Sequence, residues 1–483
     1  MMKSHISAGS SALIKRLKPK SEFSRNVLTL MTGTTIAQTI PIAISPILTR
    51  LYTPEDFGVF ALYMSLSTII GVVASGRYEL AIMLPKKDTD AINVALLAVL
   101  MTFLVSIFTF LMILIFSKHI AALFSLPPIS AWFYLIPMSI LLIGVYQSLN
   151  YWSNRKKRYN HLAANRVLQS GLTSTANLAM GFGGFGSIGL VLSSITGQLA
   201  AAISIGIKIF RENQNIFGHI NKLKIFALAK LYRDYPKKSA PGALFNTLSY
   251  QLEIILLPIL YSSYYLGLYY FITKFVNLPK LFLSGSIWQV FLTNAGKKRE
   301  DIFTAKVYKQ KKLVKYTTLP IISGLFIYSD VLIVLFGESW KDMTLFISPL
   351  ILSMHINFIV ASFSLFVLIN KPDAEMTFNI TLALTKLLSI VMSFYIWENV
   401  VYTVYAFSIV QFVMFFLLGS WNYLQLGKNI FFFSRIYLPF FIAALLTLYV
   451  LNILFSNETI LTKMIIYAFI NLIYLGTIKY ARL

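Results

Sequence analysis

The sequence predicts an all-α integral membrane protein of about 14 transmembrane helices, with two six-helix lobes around a central cavity plus two extra C-terminal helices. Composition is the first observation: 57% of the 483 residues are apolar and 12% are charged, and the mean hydropathy is +0.71. Soluble domains are about 45–50% apolar and about 25% charged. The second observation is the length of the apolar runs, and the third is the placement of Lys and Arg in short blocks between them.

The apolar runs have the length that a membrane crossing requires. A hydrocarbon core about 30 Å thick needs roughly 20 helical residues. Fourteen such runs are bounded by polar, Gly or Pro breaks. They are 27–48, 58–84, 91–116, 131–151, 160–182, 187–209, 239–260, 264–295, 314–336, 343–369, 376–396, 400–424, 436–454 and 459–478. The eighth run is long for one crossing, so we expect it to tilt or bend at Pro279.

The cations alternate with the predicted crossings. Thirty-three of the 42 Lys and Arg lie in the tails and even-numbered loops, and four lie on the opposite side, namely Arg50, Lys118, Lys341 and Lys463. The positive-inside rule therefore predicts that both termini are cytosolic. The same pattern explains the net charge of +24 as a topology signal, and no nucleic-acid partner is expected.

An internal repeat divides the chain. Leu51-Tyr52 is followed after five residues by Gly58, and Leu260-Tyr261 is followed after five residues by Gly267, an offset of 209 residues. Both segments lie at turns that are six spans apart, which predicts two six-helix halves. The predicted domains are a cytosolic basic tail (1–26), an N-lobe (27–210), a cytosolic basic linker (211–238), a C-lobe (239–424) and an appended pair of spans with a short cytosolic C-terminus (425–483). Residues 216–231 of the linker are amphipathic, and either an interfacial helix or a solvated loop fits them.

Ionisable residues inside spans are costly and are the first candidates for function. Five are cations and two are acids: Arg77, Arg166, Lys274, Lys280, Lys386, Glu79 and Glu253. The acids could simply neutralise cations as structural pairs. The surplus of cations nevertheless favours an anionic ligand in the cavity, because Arg and Lys bind phosphate groups. Polar residues that could bind sugar hydroxyls or bridge helices include Gln38, Gln147, Asn150, Asn177, Asn246, Gln251 and Gln289.

Enzyme chemistry finds little support. The chain has no Cys, and its five His have no metal-ligand spacing, so neither a metal nor another cofactor is expected. Glu55 and Asp56 could act as a base, but their place in a Pro-Glu-Asp-Phe-Gly turn favours a helix N-terminus. The outer loops are short, the longest running from about 117 to 130, which disfavours a polymerase or glycosyltransferase with an outer acceptor-binding domain.

Several segments form a combined pattern. They are Arg50-Leu51-Tyr52-Thr53-Pro54-Glu55-Asp56-Phe57-Gly58, Gly76-Arg77-Tyr78-Glu79-Leu80-Ala81-Ile82, Tyr151-Trp152, Asn165-Arg166-Val167, Asp234-Tyr235-Pro236, Asn246-Thr247-Leu248-Ser249 and Gln289-Val290-Phe291. Together these segments resemble the Wzx-type O-antigen and exopolysaccharide flippases of the multidrug/oligosaccharidyl-lipid/polysaccharide exporter superfamily. The similarity covers most of the first ten spans. Beyond about residue 370 only the hydropathy is similar.

The resemblance implies a two-lobed flippase that moves an undecaprenyl-pyrophosphate-linked oligosaccharide across the bacterial cytoplasmic (inner) membrane by alternating access. Arg77 and Lys274, with Arg50 and Arg166, would attract the anionic headgroup, although family members often carry Arg where Lys274 stands. Glu79 and Glu253 would tune the field or bind a coupling ion, either a proton or sodium. A polysaccharide polymerase and a chain-length regulator are expected partners. A multidrug or cation antiporter of the same superfamily is the alternative, and a polysaccharide polymerase is a weaker one.

Overall fold

The computed structural model of the chain describes residues 22–124, 131–278, 299–361 and 372–480, and the regular structure within these ranges is helical. The N-terminal half contains α1 (Glu22–Leu51), α2 (Pro54–Ala74), α3 (Tyr78–Ala81), α4 (Asp88–Leu123), α5 (Ile136–Arg155), α6 (Tyr159–Phe182) and α7 (Gly186–Glu212). The linker contains α8 (Gln214–Phe217) and α9 (Lys222–Leu231). The C-terminal half contains α10 (Ala240–Leu260), α11 (Ser263–Val276), α12 (Arg299–Ser323), α13 (Leu325–Phe336), α14 (Ile347–Ala361), α15 (Pro372–Trp397), α16 (Val400–Leu424), α17 (Phe432–Phe455) and α18 (Ile460–Tyr480).

Every one of the fourteen predicted spans overlaps one or two of these helices. Within the described ranges, ten helices are each long and apolar enough to cross a membrane. The pair α12 and α13, bent by 60° at a break, makes an eleventh candidate span. The chain is therefore an all-helical multi-pass membrane protein, and the predicted fold class is confirmed.

The two halves touch where the repeated segments lie. α2 begins at Pro54 and α11 begins at Ser263, again 209 residues apart. Gly58 lies against Ser263, and Gly267 lies against Pro54, so closely that a Cβ on either glycine would overlap the backbone of the other helix. A two-fold relation produces this reciprocal pattern, in which equivalent residues exchange contacts. The repeat seen in the sequence thus corresponds to a symmetric contact between the lobes.

An aromatic cluster closes the same end of the molecule, which we call the Pro54 end. The fully buried Trp340 packs with its ring centroid 5.4 Å from that of Phe57 and 4.6 Å from that of Phe271. Its Nε1 donates to the carbonyl oxygen of Thr49 at 3.0 Å. Because these residues come from both halves, the Pro54 end is a packed interface between the lobes.

The acidic turn before α2 is a helix cap, as its sequence predicts. Thr53 is the N-cap residue, and its hydroxyl oxygen accepts from the backbone N–H of Asp56 at 3.2 Å. The carboxylate of Asp56 in turn accepts from the backbone N–H of Thr53 at 3.0 Å. This capping box satisfies two amides at the helix start.

The linker packs on the N-lobe through one face. Ile225 and Ala229 of α9 contact the region around Tyr78, whose hydroxyl donates to the carbonyl oxygen of Ala229 at 3.1 Å. Leu223 and Phe226 lie on the opposite, exposed face. The amphipathic segment is therefore largely helical, while its expected position along the cytosolic interface stays a prediction.

The last two helices dock on the ninth span. The Lys463 ammonium of α18 pairs with the Asp330 carboxylate of α13 at 2.9 Å. The Tyr467 hydroxyl donates to the carbonyl oxygen of Pro320 at 2.9 Å. These polar contacts join the appended pair to the C-lobe rather than leaving it as a separate hairpin.

Candidate functional site

The second predicted span is interrupted just before its charged residues. α2 ends at Ala74, and the chain resumes at Tyr78 as the single turn α3. Gly76 and Arg77 have φ values of 59° and 60°, which lie in the left-handed region. Glycine adopts this region freely, whereas an arginine there costs of the order of 1 kcal/mol. The predicted span 58–84 is thus not one continuous helix, and its break places Arg77 at the end of the lobe opposite to Pro54, which we call the Arg77 end.

Arg77 and Glu79 form an ion pair at this break. Nη1 of Arg77 lies 3.3 Å from Oε1 of Glu79. The Ser75 hydroxyl donates to the other carboxylate oxygen. Glu79 is fully buried, while the Arg77 side chain keeps 21% of its surface exposed. The pair therefore neutralises a buried carboxylate and still leaves part of the Arg77 side chain accessible.

The accessible side of this pair faces a cavity of about 350 Å³ inside the N-lobe, which we call the N-lobe cavity. Its lining residues are Arg77, Glu79, Tyr146, Gln147, Asn150, Tyr151, Asn154 and Arg166. Arg166 comes from α6, and its Nη1 donates to the hydroxyl of Thr34 on α1. Three of the charged residues singled out in the sequence therefore meet here, as two guanidinium groups and one carboxylate. Amide and phenol groups complete the wall.

Arg77 also lines a larger cavity of about 710 Å³ between the lobes, which we call the inter-lobe cavity. The other lining residues are Asp234, Tyr235, Lys238, Ser239, Gly242, Ala243, Asn246, Asp373, Glu375, Met376 and Asn379. They belong to the linker, the start of α10 and the start of α15. The cavity therefore lies at the Arg77 end, away from the packed Pro54 end.

The charge of the inter-lobe cavity differs from the sequence-based expectation. Its described lining contains the cations Arg77 and Lys238 and the acids Asp234, Asp373 and Glu375. The expected surplus of positive charge is therefore confined to the N-lobe cavity among the described residues. Asp373 and Glu375 precede the apolar run that begins at 376, so the sequence does not identify them as intramembrane charges.

Lys274 and Arg50 line neither cavity and lie at the contact between the lobes. The Lys274 ammonium is 4.3 Å from the ring centroid of Tyr270 and 5.7 Å from that of Phe57. Nη1 of Arg50 donates to the carbonyl oxygen of Leu335 at 3.2 Å, across the lobe boundary. In this conformation Arg50 thus joins α1 to the C-lobe, and Lys274 joins α2 to the C-lobe. Among the side chains that the structure describes, aromatic rings and not a carboxylate lie next to the Lys274 ammonium.

Glu253 and Lys386 form a second intramembrane ion pair, which joins α10 to α15. The Lys386 ammonium also donates to the carbonyl oxygen of Ser249 at 3.1 Å, and the Tyr269 hydroxyl donates to Glu253 Oε1 at 3.4 Å. Only 4% of Glu253 and 1% of Lys386 is exposed. Lys386 therefore adds no free positive charge to a cavity, because it is neutralised within the C-lobe.

The predicted polar residues are spread over the molecule. Asn246 lines the inter-lobe cavity. The side-chain oxygens of Gln38 and Gln251 are buried, and neither has a hydrogen-bond partner within the described ranges. Gln289 and Lys280 lie outside the described residues.

Part of the N-lobe cavity is lined by uncharged residues, which the charge pattern of the sequence does not identify. Tyr146, Tyr151 and Asn154 line its wall beside Gln147 and Asn150. All five lie on α5 at spacings of three or four residues, so they form one polar face on an otherwise apolar helix. That periodicity is the signal in the sequence that could have identified the wall.

Comparisons with known proteins agree with this architecture. Residues 47–345 match the family model described as "Polysaccharide biosynthesis protein". None of the curated proteins compared with the sequence matches it significantly.

Solved structures share the fold at low sequence identity. The structure of the lipid II flippase MurJ in an inward closed conformation has a TM-score of 0.73 and 12% identity, covering 94% of this chain and 99% of that one. An inward-facing multidrug resistance transporter of the MATE family of the MOP superfamily has a TM-score of 0.56 and 14% identity, covering 83% and 94%. A MATE transporter of Vibrio cholerae has a TM-score of 0.56 and 11% identity, covering 84% and 97%.

The family model spans more than half of the chain, and the shared fold covers nearly all of it. The family model therefore shows the family, and the solved structures show the fold. The chain belongs to the polysaccharide biosynthesis protein family, and it shares its fold with the lipid II flippase MurJ and with MATE-family transporters.

Proposed function

We propose that the protein is a flippase that moves an undecaprenyl-pyrophosphate-linked oligosaccharide, an O-antigen or exopolysaccharide repeat unit, from the cytosolic to the outer face of a bacterial cytoplasmic membrane. The observation that carries the proposal is the position of Arg77. Arg77 lines both the N-lobe cavity and the inter-lobe cavity. Membership of the family supports a polysaccharide substrate. The side chains of the site suit a ligand that carries phosphate and hydroxyl groups.

The N-lobe cavity offers matching chemistry for both parts of such a headgroup. Arg77 and Arg166 can each donate two parallel hydrogen bonds to phosphate oxygens. Gln147, Asn150 and Tyr151 offer donors and acceptors to sugar hydroxyls. The polyprenyl chain stays in the bilayer, since moving it through a polar cavity would forfeit its hydrophobic stabilisation.

The placement of contacts and cavities supports alternating access. Gly58, Gly267 and the cluster around Trp340 close the Pro54 end, while both cavities lie at the Arg77 end. Rocking of the lobes would separate the Gly58 and Gly267 contact and close the inter-lobe cavity. In this scheme Arg50 and Lys274, now at the lobe contact, become accessible to the headgroup during outward opening.

The orientation and partners follow from this scheme. The Arg77 end faces the cytosol, as the Lys and Arg distribution predicts, and both termini are cytosolic. A proton or sodium ion is the proposed coupling ion, and Glu79 is its proposed site because the carboxylate borders the N-lobe cavity. For Glu253 we propose a structural role in place of ion coupling, because the Lys386 ammonium already neutralises its carboxylate. A polysaccharide polymerase and a chain-length regulator are the proposed downstream partners.

A cation antiporter is the second candidate, favoured by the acids Asp373 and Glu375 in the inter-lobe cavity. A polymerase is the third. Deleting the gene separates the three. Complete lipid-linked repeat units accumulating in the inner leaflet support the flippase, accumulation in the outer leaflet indicates a polymerase, and drug sensitivity with normal glycan indicates the antiporter.

Complementation of the deletion strain tests the site itself. Each of Arg77→Ala, Arg166→Ala and Lys274→Ala should lower surface polysaccharide at least about tenfold, because each removes a charge-assisted contact to the headgroup. Arg233→Ala, at an exposed linker position outside both cavities, is the matched control and should complement fully. Normal polysaccharide from the Arg77 and Lys274 variants at wild-type protein levels would refute the assignment.

A further inference from the structure

A separate group of cations lies at the surface of the N-lobe, outside both cavities. A pocket of about 240 Å³ opens where α5 ends, α6 begins and α7 ends. Its lining residues are Lys157, Arg158, Tyr159, Asn160, His161, Lys208 and Glu212. It belongs to the Arg77 end, since Nη1 of Arg155 on the adjoining turn donates to the carbonyl oxygen of Ile82 at 3.2 Å.

The four cations of the turn, 155–158, have different surroundings. The first two pair with the carboxylate of Asp88. The last pairs with Glu212 on α7. Lys157 remains, and no carboxylate lies within ion-pair distance of it in the part of the chain that the structure describes. Its φ of 56° holds it in the left-handed region at the tip of the turn.

Two further features add positive potential to the pocket. Lys208 lies one helical turn before Glu212, and it too has no carboxylate partner among the described residues. α6, 24 residues long, begins at the pocket, and within the described ranges the side chain of its N-cap residue, Arg158, makes no capping hydrogen bond. The free backbone N–H groups of that turn carry partial positive charge. Two free ammonium groups beside a helix N-terminus suit an anion with several oxygens, such as a phosphodiester.

Apolar rows extend from this pocket along the membrane-facing surface. Leu168 and Leu172 on α6, and Ile203, Ile207 and Phe210 on α7, are 38–57% exposed. Their spacing of three or four residues puts each set on one helix face. The two helices pack against each other, so the rows are neighbours. A cationic pocket at the head of an exposed apolar surface is complementary in charge and polarity to an anionic phospholipid.

We infer that this pocket binds the headgroup of an anionic phospholipid, with the acyl chains lying along the exposed faces of α6 and α7. The inference uses the orientation given above, which places the pocket in the inner leaflet, but not the transport activity. The lipid is held at the outside of the N-lobe and is distinct from the transported molecule, because Arg77 and Arg166 line other cavities.

Lipid binding to the purified, detergent-solubilised protein tests the inference. Native mass spectrometry would follow the titration of phosphatidylglycerol, with phosphatidylcholine as the uncharged comparison. The double variant Lys157→Gly/Lys208→Gln should bind phosphatidylglycerol about 30-fold more weakly, since each cation near a membrane surface contributes roughly fivefold. Glycine at 157 tolerates the positive φ, so the turn is retained. Lys157→Gly alone should weaken binding about fivefold, which provides a second test if the double variant folds poorly.

The control is Lys237→Gln/Lys311→Gln, which removes two exposed cations at the Arg77 end outside the pocket and should leave the affinity within about twofold. Equal losses in the two double variants would mean diffuse attraction and would overturn a defined site. Unchanged binding by the pocket variant would also overturn it. If inorganic phosphate displaced phosphatidylglycerol at equal concentration, the pocket would be a site for free anions, and the lipid assignment would fail. Because no transport is measured, these results are independent of the proposed substrate.

Discussion

Two intramembrane ion pairs each join a basic residue to a glutamate, but they differ in how much of the basic side chain is exposed. Arg77 and Glu79 are two residues apart at a helix break, and the cation borders two cavities. Lys386 and Glu253 come from different helices, and both are almost fully buried. The first pair keeps a charge available to a ligand, whereas the second joins α10 to α15. An intramembrane charge is therefore evidence of function only when its partner leaves it accessible.

The largest effect that follows from this comparison is a loss of stability in the C-lobe. Lys386→Met should lower the free energy of unfolding by about 3–5 kcal/mol, because it leaves the Glu253 carboxylate buried without a cation. Chemical denaturation of the solubilised protein measures the change. Glu253→Gln/Lys386→Met removes both charges and should recover most of the loss. A single variant as stable as the wild type would show that the pair is not sealed from water.

A smaller loss of stability with a large loss of transport is expected at Arg77. Arg77→Gly leaves the buried Glu79 carboxylate without its cation but relieves about 1 kcal/mol of left-handed strain, so it should cost about 2–4 kcal/mol of stability. Transport should still fall at least about tenfold, because the phosphate donor is lost. Arg77→Ala removes the same charge but keeps the left-handed strain. Comparing the two variants therefore separates the effect of the strained backbone from the effect of the lost positive charge. If Arg77→Gly transported normally, the guanidinium would have no part in binding, and the contrast between the two pairs would disappear.

The smallest effect concerns the hydroxyl that supports Glu79. Ser75→Ala removes a hydrogen bond to a buried carboxylate and should cost about 1–2 kcal/mol of stability. Transport by the folded protein should change less than it does in the Arg77 variants, since Arg77 still pairs with Glu79. Thermal unfolding and complementation, measured on the same variant, provide the two readouts. A transport defect as large as that of Arg77→Gly would instead place Ser75 in the binding machinery.

Much of the fold could be predicted from the sequence because hydropathy and charge act locally. Each of the fourteen apolar runs overlaps helix, and the repeat around Gly58 and Gly267 marks a real contact between the lobes. The helix break at Gly76 was missed because an apolar run shows length and not continuity. One residue with positive φ ends a helix without changing the hydropathy of the run.

The site was predicted less completely, for a different physical reason. Sequence identified Arg77, Glu79 and Arg166, which share the N-lobe cavity. It could not pair Glu253 with Lys386, which are 133 residues apart and meet only when α10 packs on α15. It also left Asp373 and Glu375 out of the charge balance, although both line the inter-lobe cavity.

The sequence by itself determined that this chain is helical and membrane-embedded, and that it carries charged residues where a bilayer would normally exclude them. Burial in lipid imposes apolar runs and costs energy for each charge, and both leave a local record in the chain. Only the tertiary structure decided which of those charges are neutralised and which border a cavity. That outcome depends on contacts between distant helices, and hydropathy does not encode them.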